Sequence, residues 1–260
     1  MAGRLSQLGR RGALTLCCAL PILVGFGSAR DPLAVDPIDA GAVEPAARGP
    51  EDVVLLHGLG RSERVMRPLA RALGDAGYRV HNLDYPSTSA TPEQLVEVLH
   101  REISRCCAWS ARVSFVTHSL GGVMVRAYLA AHPMPQLGRV VMLAPPNHGS
   151  EYVDVAGGWT IFRAVLGPTA AQLGTAPTSL PNRLPRAEYD VGVIAGNGSI
   201  NPLGRALIPG ANDGTVSVAS TQLAGMRDFI EVPASHTFIM RNSEVARQTI
   251  VFLRAGHFER

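Results

Sequence analysis

Short segments with strand character alternate with longer amphipathic segments from residue 53 onward, and this alternation limits the fold more than any other feature. The strand-like segments lie at 53–56, 78–83, 113–117, 140–143, 191–195 and 229–232. Three of them, 53–56, 140–143 and 191–195, are uninterrupted apolar runs, which are typical of strands that helices cover on both faces. We therefore predict an α/β fold with a mostly parallel sheet and helices on both faces of it.

Residues that start helices support this pattern. Ser62 is predicted to cap the first helix, and Asn242 or Ser243 is predicted to cap the last. Thr91 and Gln94 have the spacing of a capping box, with a proline at the first helical position. The length of 260 residues is sufficient for one domain with a sizeable core.

The N-terminus has the three parts of an export signal. Arg4, Arg10 and Arg11 precede an uncharged segment over 12–27, which ends in small residues up to Ala29. We predict a signal peptide over 1–29, a Pro/Ala-rich linker over 30–51 and one α/β domain over 52–260. The protein is then periplasmic or secreted after cleavage near Ala29, or membrane-anchored if it is not cleaved. The adjacent arginines leave the choice between general and twin-arginine export open.

The charge of the chain does not indicate a nucleic-acid partner. The net charge is +3, and all 24 basic residues are arginine. Residues 1–29 contain three arginines and no acidic residue, so the remaining 21 arginines equal the 21 Asp and Glu residues. Outside the predicted signal, Cys106 and Cys107 are adjacent, either as a vicinal disulfide or as free thiols. The cysteines show no metal-ligand spacing, and we predict no cofactor and no metal.

A serine in residues 117–122 (Thr-His-Ser-Leu-Gly-Gly) lies where a predicted strand passes into a predicted helix. Ser119 at such a sharp turn exposes its hydroxyl above the helix amides, and the close approach of strand and helix requires small residues such as Gly121. We predict Ser119 as a nucleophile. The sequence His57-Gly58-Leu59-Gly60 follows the first strand, and its glycines allow backbone N–H groups to turn toward an oxyanion. The predicted oxyanion donors are the amides of Leu59 and Leu120, although 57–60 also fits an ordinary turn.

A nucleophilic serine needs a base and an acid that orients the base. His236 follows the strand over 229–232, and Asp213 lies in the loop after the strand over 191–195. Both are on the edge of the sheet that holds Ser119, and the order Ser119, Asp213, His236 is the one expected for this architecture. Among the other histidines, His118 is predicted to have a packing role, His148 a structural role and His257 a surface position. Among the other acids, Asp84 is predicted to hydrogen-bond within its loop, and Asp190 and Asp228 are predicted to be surface charges.

These motifs, together with 145–150 (Pro-Pro-Asn-His-Gly-Ser), resemble the α/β-hydrolase superfamily, and in particular small bacterial serine lipases and esterases, including the GPI-inositol-deacylase-like group. They extend over nearly the whole chain after the predicted linker. The resemblance implies Ser119 as nucleophile, Asp213 as acid, His236 as base and no cofactor. Thr117 stands where glycine is usual, and the first strands of the full-length fold are absent, as in minimal members.

Residues 149–185 interrupt the alternation and are predicted to form a small lid or insertion over the active edge. Trp159, Ile161 and Phe162 are predicted either to line an acyl site or to form local core. We expect hydrolysis of acyl esters or lipids, with transient contact to a membrane or lipid surface. Acyl transfer and thioester hydrolysis on the same residues are alternatives, as is an exported, non-catalytic binding protein. The sequence leaves the oligomeric state open.

Overall fold

A six-stranded parallel sheet forms the centre of the computed structural model, which describes residues 51–156 and 166–260. Its strands are β1 (Asp52–Leu56), β2 (Arg79–Leu83), β3 (Val113–His118), β4 (Leu137–Leu143), β5 (Val191–Gly196) and β6 (Asp228–Val232). Their order across the sheet is β2-β1-β3-β4-β5-β6, and every neighbouring pair is parallel. The predicted α/β class and parallel sheet are confirmed.

The longer helices of the described residues are α1 (Arg67–Asp75), α2 (Pro92–Cys107), α3 (Leu120–Ala131) and α4 (Ser243–Ala255). Shorter helical segments are Glu63–Met66, Glu151–Ala156, residues 166–170, Leu180–Arg183, Pro202–Leu207, Val218–Thr221 and Ile239–Arg241. The capping box of Thr91 and Gln94 is present at the start of α2, and the Asn242 side chain caps α4. The prediction for Ser62 is wrong: it precedes a 3₁₀ turn, and its side chain makes no capping hydrogen bond.

Alternate residues of each strand face opposite sides of the sheet, and this places a core on each face. Val54 and Leu56 pack with residues of α2 and α3, whereas Val53 and Leu55 pack with residues of α1 and α4. All four of these β1 side chains are fully buried. Coverage on both faces explains why β1 is apolar from Val53 to Leu56.

All strands end at the same edge, and four sequence motifs therefore meet there. The segment 57–60 follows β1, and Ser119 follows β3. Asp213 lies in the connection between β5 and β6, and His236 follows β6. The carboxyl edge of a parallel sheet is where α/β proteins bind their ligands.

The described parts of the segment 149–185 are held against this edge by hydrogen bonds. The Ser150 hydroxyl donates to the Thr215 backbone oxygen at 2.6 Å, and the Thr169 hydroxyl donates to the Ala90 backbone oxygen at 2.7 Å. The buried guanidinium of Arg126 donates to the backbone oxygens of Pro181, Leu184 and Pro185. A buried charge without hydrogen bonds is costly, so the guanidinium needs these acceptors. The same hydrogen bonds hold residues 181–185 against α3.

Several predictions concern residues outside the described ranges. These are the signal peptide over 1–29, nearly all of the linker over 30–51, and Trp159, Ile161 and Phe162 in the insertion. Export and the domain boundaries therefore stay predictions. Within 51–156 and 166–260, no helix has both the length and the apolar character that crossing a bilayer would require.

Candidate active site

Ser119 occupies a sharp turn between β3 and α3. Its φ of 53° lies in the left-handed region, which non-glycine residues adopt rarely and which is enriched at functional sites. A Cβ on Gly121 would lie 2.6 Å from the Leu56 backbone oxygen, and a Cβ on Gly122 would lie 2.8 Å from Pro145 Cβ. Glycine is therefore required where α3 crosses the strand ends, and this crossing exposes the Ser119 hydroxyl.

The structure brings the predicted nucleophile, base and acid into one chain of hydrogen bonds. His236 Nε2 lies 2.9 Å from Ser119 Oγ, and His236 Nδ1 lies 2.7 Å from Asp213 Oδ2. The His236 backbone N–H also donates to the Asp213 backbone oxygen at 3.1 Å, which holds the two loops together. The geometry is that of a nucleophile beside a base whose orientation is fixed by an acid.

The carboxylate of Asp213 is held on both of its oxygens. Oδ1 accepts the backbone N–H groups of Thr215 at 3.0 Å and Val216 at 2.8 Å, and Oδ2 faces the His236 ring. The side chain is fully buried, whereas that of His236 is 13% exposed. Because Oδ2 accepts Nδ1–H of His236, the lone pair of Nε2 is directed at the Ser119 hydroxyl.

The predicted oxyanion donors lie on either side of Ser119. A Cβ on Gly58 would lie 3.1 Å from Ser119 Cβ, so the segment 57–60 passes directly against the serine. Leu120 is the first residue of α3, where backbone N–H groups have no acceptor within the helix. In the described ranges, the N–H groups of Leu59 and Leu120 have no hydrogen-bond partner. Both are therefore available to an oxyanion.

The segment 57–60 is fixed by contacts that the sequence did not reveal. The Tyr85 hydroxyl donates to the His57 backbone oxygen at 2.5 Å, and the two rings stack at 4.2 Å. Burial, followed by the nearby Asp84 charge, raises the pKa of Tyr85, so the phenol keeps its proton and remains a donor. Asp84 Oδ1 lies 3.0 Å from His57 Nε2, which fits the loop hydrogen-bonding role predicted for Asp84.

His118 supports the base through the backbone. Its Nε2 lies 3.0 Å from the His236 backbone oxygen and donates to it, and its Nδ1 is a buried atom without a partner in the described ranges. Burial, and then electrostatic interaction with the neighbouring His236 ring, lowers the pKa of His118 well below its ordinary value. The ring is therefore neutral. His118 packs as predicted, and it also forms a hydrogen bond to the loop that carries His236.

His118 is expected to make stability depend on pH. Its pKa is lower in the folded protein, so between that pKa and the ordinary value of 6.5 the unfolded chain binds more protons. The free energy of unfolding should fall as the pH drops below about 6.5, by at most about 1.4 kcal/mol per pH unit from this residue. His118→Gln keeps an N–H donor without the titration, so urea unfolding at several pH values should give a flatter profile. Parallel wild-type and variant profiles would contradict this role.

The remaining candidates lie apart from Ser119. His148 contacts Asn182, with 3.1 Å between Nδ1 and Oδ1, and His257 is exposed in the C-terminal tail. Asp190 and Asp228 lie just before or at the start of strands, on the opposite edge of the sheet, where they pair with Arg227 and Arg260. The structural role predicted for His148 and the surface roles predicted for His257 and Asp190 agree with these positions. The surface role predicted for Asp228 is wrong, because its side chain is only 8% exposed and accepts the Phe258 backbone N–H at 2.7 Å.

Comparisons with known proteins agree with the fold. The sequence profile of the alpha/beta hydrolase family matches residues 53–259. The search of curated protein sequences finds no match.

Three solved structures illustrate the structural similarity. The mature Bacillus licheniformis lipase BlEst2 has a TM-score of 0.63 at 23% identity, over 85% of this chain and 96% of that chain. The metagenomic carboxyl esterase MGS0156 has a TM-score of 0.57 at 19% identity, over 86% of this chain and 80% of that chain. Phospholipase PlaB from Legionella pneumophila has a TM-score of 0.62 at 16% identity, over 81% of this chain but only 60% of that chain. At these identities the similarity establishes the fold. With the profile match over most of its length, the chain belongs to the alpha/beta hydrolase family.

Proposed function

We propose that the protein is a serine carboxylic-ester hydrolase that works through an acyl-enzyme. The observation that carries this proposal is the hydrogen-bond chain from Ser119 through His236 to Asp213. Each residue has the partner that its role requires, and the three lie at the edge where hydrolases of this architecture carry their chemistry. The lipase and esterase names of similar structures support the same reaction class.

The reaction follows from the geometry. His236 Nε2 takes the proton of Ser119 as Oγ attacks the ester carbonyl, and the amides of Leu59 and Leu120 bind the resulting oxyanion. His236 then protonates the departing alcohol, which leaves an acyl group on Ser119. The same ring next removes a proton from water, and hydroxide addition releases the acid and restores the serine. Asp213 stabilises the imidazolium in both half-reactions.

Exposed apolar side chains in the loops after β5 and β6 support an ester with an apolar acyl group. A surface cavity of about 440 Å³ lies between the segments 198–200 and 233–242, which follow β5 and β6, and neither Ser119 nor His236 lines it. Ile200 and Phe238 line it and are 66% and 46% exposed. Exposed apolar side chains beside a catalytic edge favour an apolar substrate or a lipid surface. Acyl esters or lipids are therefore the proposed substrates.

A fluorophosphonate probe tests the proposed nucleophile. The folded protein should be labelled on the peptide that contains Ser119, and prior heat denaturation should prevent labelling. Absence of labelling in folded protein would instead favour a non-catalytic binding protein that keeps the fold.

A series of p-nitrophenyl esters of increasing acyl length then tests the substrate. We expect kcat/KM to rise from acetate to medium chains, because each added methylene buries apolar surface. A series of acyl thioesters and a competing alcohol separate hydrolysis of esters from thioesterase and acyl-transfer activity. A monotonic decrease with acyl length would contradict an apolar acyl site.

A further inference from the structure

A second cluster of reactive side chains lies between β2 and the C-terminal end of α2, and it contains none of the active-site residues described above. A ring nitrogen of His81 and the Sγ atoms of Cys106 and Cys107 all lie within 4.8 Å of one another. His81 is in β2, where it pairs with Val54 and shares the face covered by α2. The two cysteines end α2, and their Sγ atoms are joined in a disulfide. The proposed esterase mechanism uses none of these residues.

The cluster also has the orienting partner that metal-bound histidines need. His81 Nε2 lies 2.6 Å from Oδ1 of Asp52, a carboxylate that is 2% exposed. Metal-ligating histidines almost always donate their other ring N–H to such a group, which fixes the tautomer and increases ligand basicity. Donation from Nε2 to Asp52 leaves the lone pair of the His81 ring on Nδ1.

The site is accessible from solvent. Cys106 and His81 are partly exposed, whereas Cys107 is buried. A cavity of about 160 Å³ reaches Cys107 between the end of α2 and residues 132–136. A small ion can therefore approach Cys107 through this cavity, and Cys106 and His81 from the protein surface.

We propose that reduction of the Cys106–Cys107 disulfide creates a site for Zn²⁺, with both thiolates and His81 as ligands. Two thiolates and one imidazole form a donor set that zinc prefers, and water completes the tetrahedron. A dithiol supplies the two electrons and two protons that convert the disulfide into two thiols, and it becomes a disulfide itself. Zinc binding then releases the two thiol protons. The disulfide and the metal exclude each other, so the redox state controls occupancy.

Sequence spacing did not reveal this site because His81 and Cys106 are far apart in the chain. Adjacent cysteines also do not have the separation found in common zinc motifs. Only the packing of α2 against β2 brings the third ligand to the pair.

Zinc titration of reduced and oxidised protein tests the proposal. We expect the reduced wild type, prepared with a dithiol and desalted without oxygen, to bind one Zn²⁺ per chain in competition with a chromophoric chelator. Cd²⁺ should produce a thiolate charge-transfer band in the ultraviolet. The oxidised protein should bind no metal at this site. The disulfide closes only a loop between adjacent residues, so its reduction should leave the circular dichroism spectrum unchanged.

Matched variants assign the ligands. His81→Asn and the double variant Cys106→Ser/Cys107→Ser should each weaken zinc binding by at least about 100-fold, because loss of a ligand costs more than loss of its orienting partner. Asp52→Asn should weaken it by about 10–100-fold. His257→Ala removes an exposed histidine elsewhere and should bind as the wild type does.

Three results would overturn the proposal. They are no zinc binding by reduced, folded wild type, equal binding by the oxidised protein, and unchanged affinity in folded His81→Asn. Because binding is measured without a substrate, these results are independent of the proposed ester hydrolysis.

Discussion

Replacing Ser119 with alanine is expected to lower kcat for p-nitrophenyl ester hydrolysis by about 10⁶-fold. The variant keeps the oxyanion amides but has no atom that can form the acyl-enzyme. The His236 ring loses its 2.9 Å partner and has only water to activate. Residual activity should be close to the background that binding and the oxyanion donors provide.

The fold should tolerate this change. The Ser119 side chain makes no capping hydrogen bond to α3, and alanine has a Cβ of the same kind at the same φ. Ser89→Ala is the matched control, because Ser89 is an exposed serine in the loop after β2. It should keep wild-type activity and labelling. Substantial hydrolysis by purified Ser119→Ala would show that another residue is the nucleophile.

Replacing Asp213 with asparagine is expected to lower kcat by about 10⁴-fold. The backbone N–H groups of Thr215 and Val216 both donate to Oδ1, so the asparagine oxygen must take that position. Its amide NH₂ then faces His236 Nδ1, which can only accept. The proton of the neutral ring moves to Nε2, and the ring can no longer accept the proton of Ser119.

The kcat for p-nitrophenyl ester hydrolysis is measured at steady state, and the stability of each variant is measured alongside it. Asp190→Asn is the control, because Asp190 pairs with Arg227 on the opposite edge of the sheet. It should retain activity within about twofold, as is typical for surface positions away from the chemistry. If Asp213→Asn were equally active, Asp213 would not be the acid that orients His236.

The sheet was predictable because its signals are local. An uninterrupted apolar run such as 53–56 needs cover on both faces, and the Thr91–Gln94 box requires a helix to begin there. Ser62 shows the limit of this reasoning. Whether a serine caps a helix depends on the geometry of the first turn, and a 3₁₀ turn here leaves its hydroxyl unused.

Residue types and chain order were sufficient to nominate Ser119, Asp213 and His236. The hydrogen bonds that hold the site in place were not predictable, because each of them depends on how distant loops pack. The Tyr85 hydroxyl reaches the His57 backbone, and His118 reaches the His236 backbone, across 28 and 118 residues. The His81–cysteine cluster was missed for the same reason. Side chains that meet only because distant elements pack together have no characteristic spacing along the sequence.

The distance along the chain between Ser119 and His236 has a consequence for folding. These residues are 117 positions apart, and β4, β5 and β6 lie between them. The entropy of closing such a loop must be overcome before the contact can form, so it forms late compared with local helices. A refolding chain should therefore regain helical structure well before hydrolytic activity, and regain of activity marks completion of the last strand.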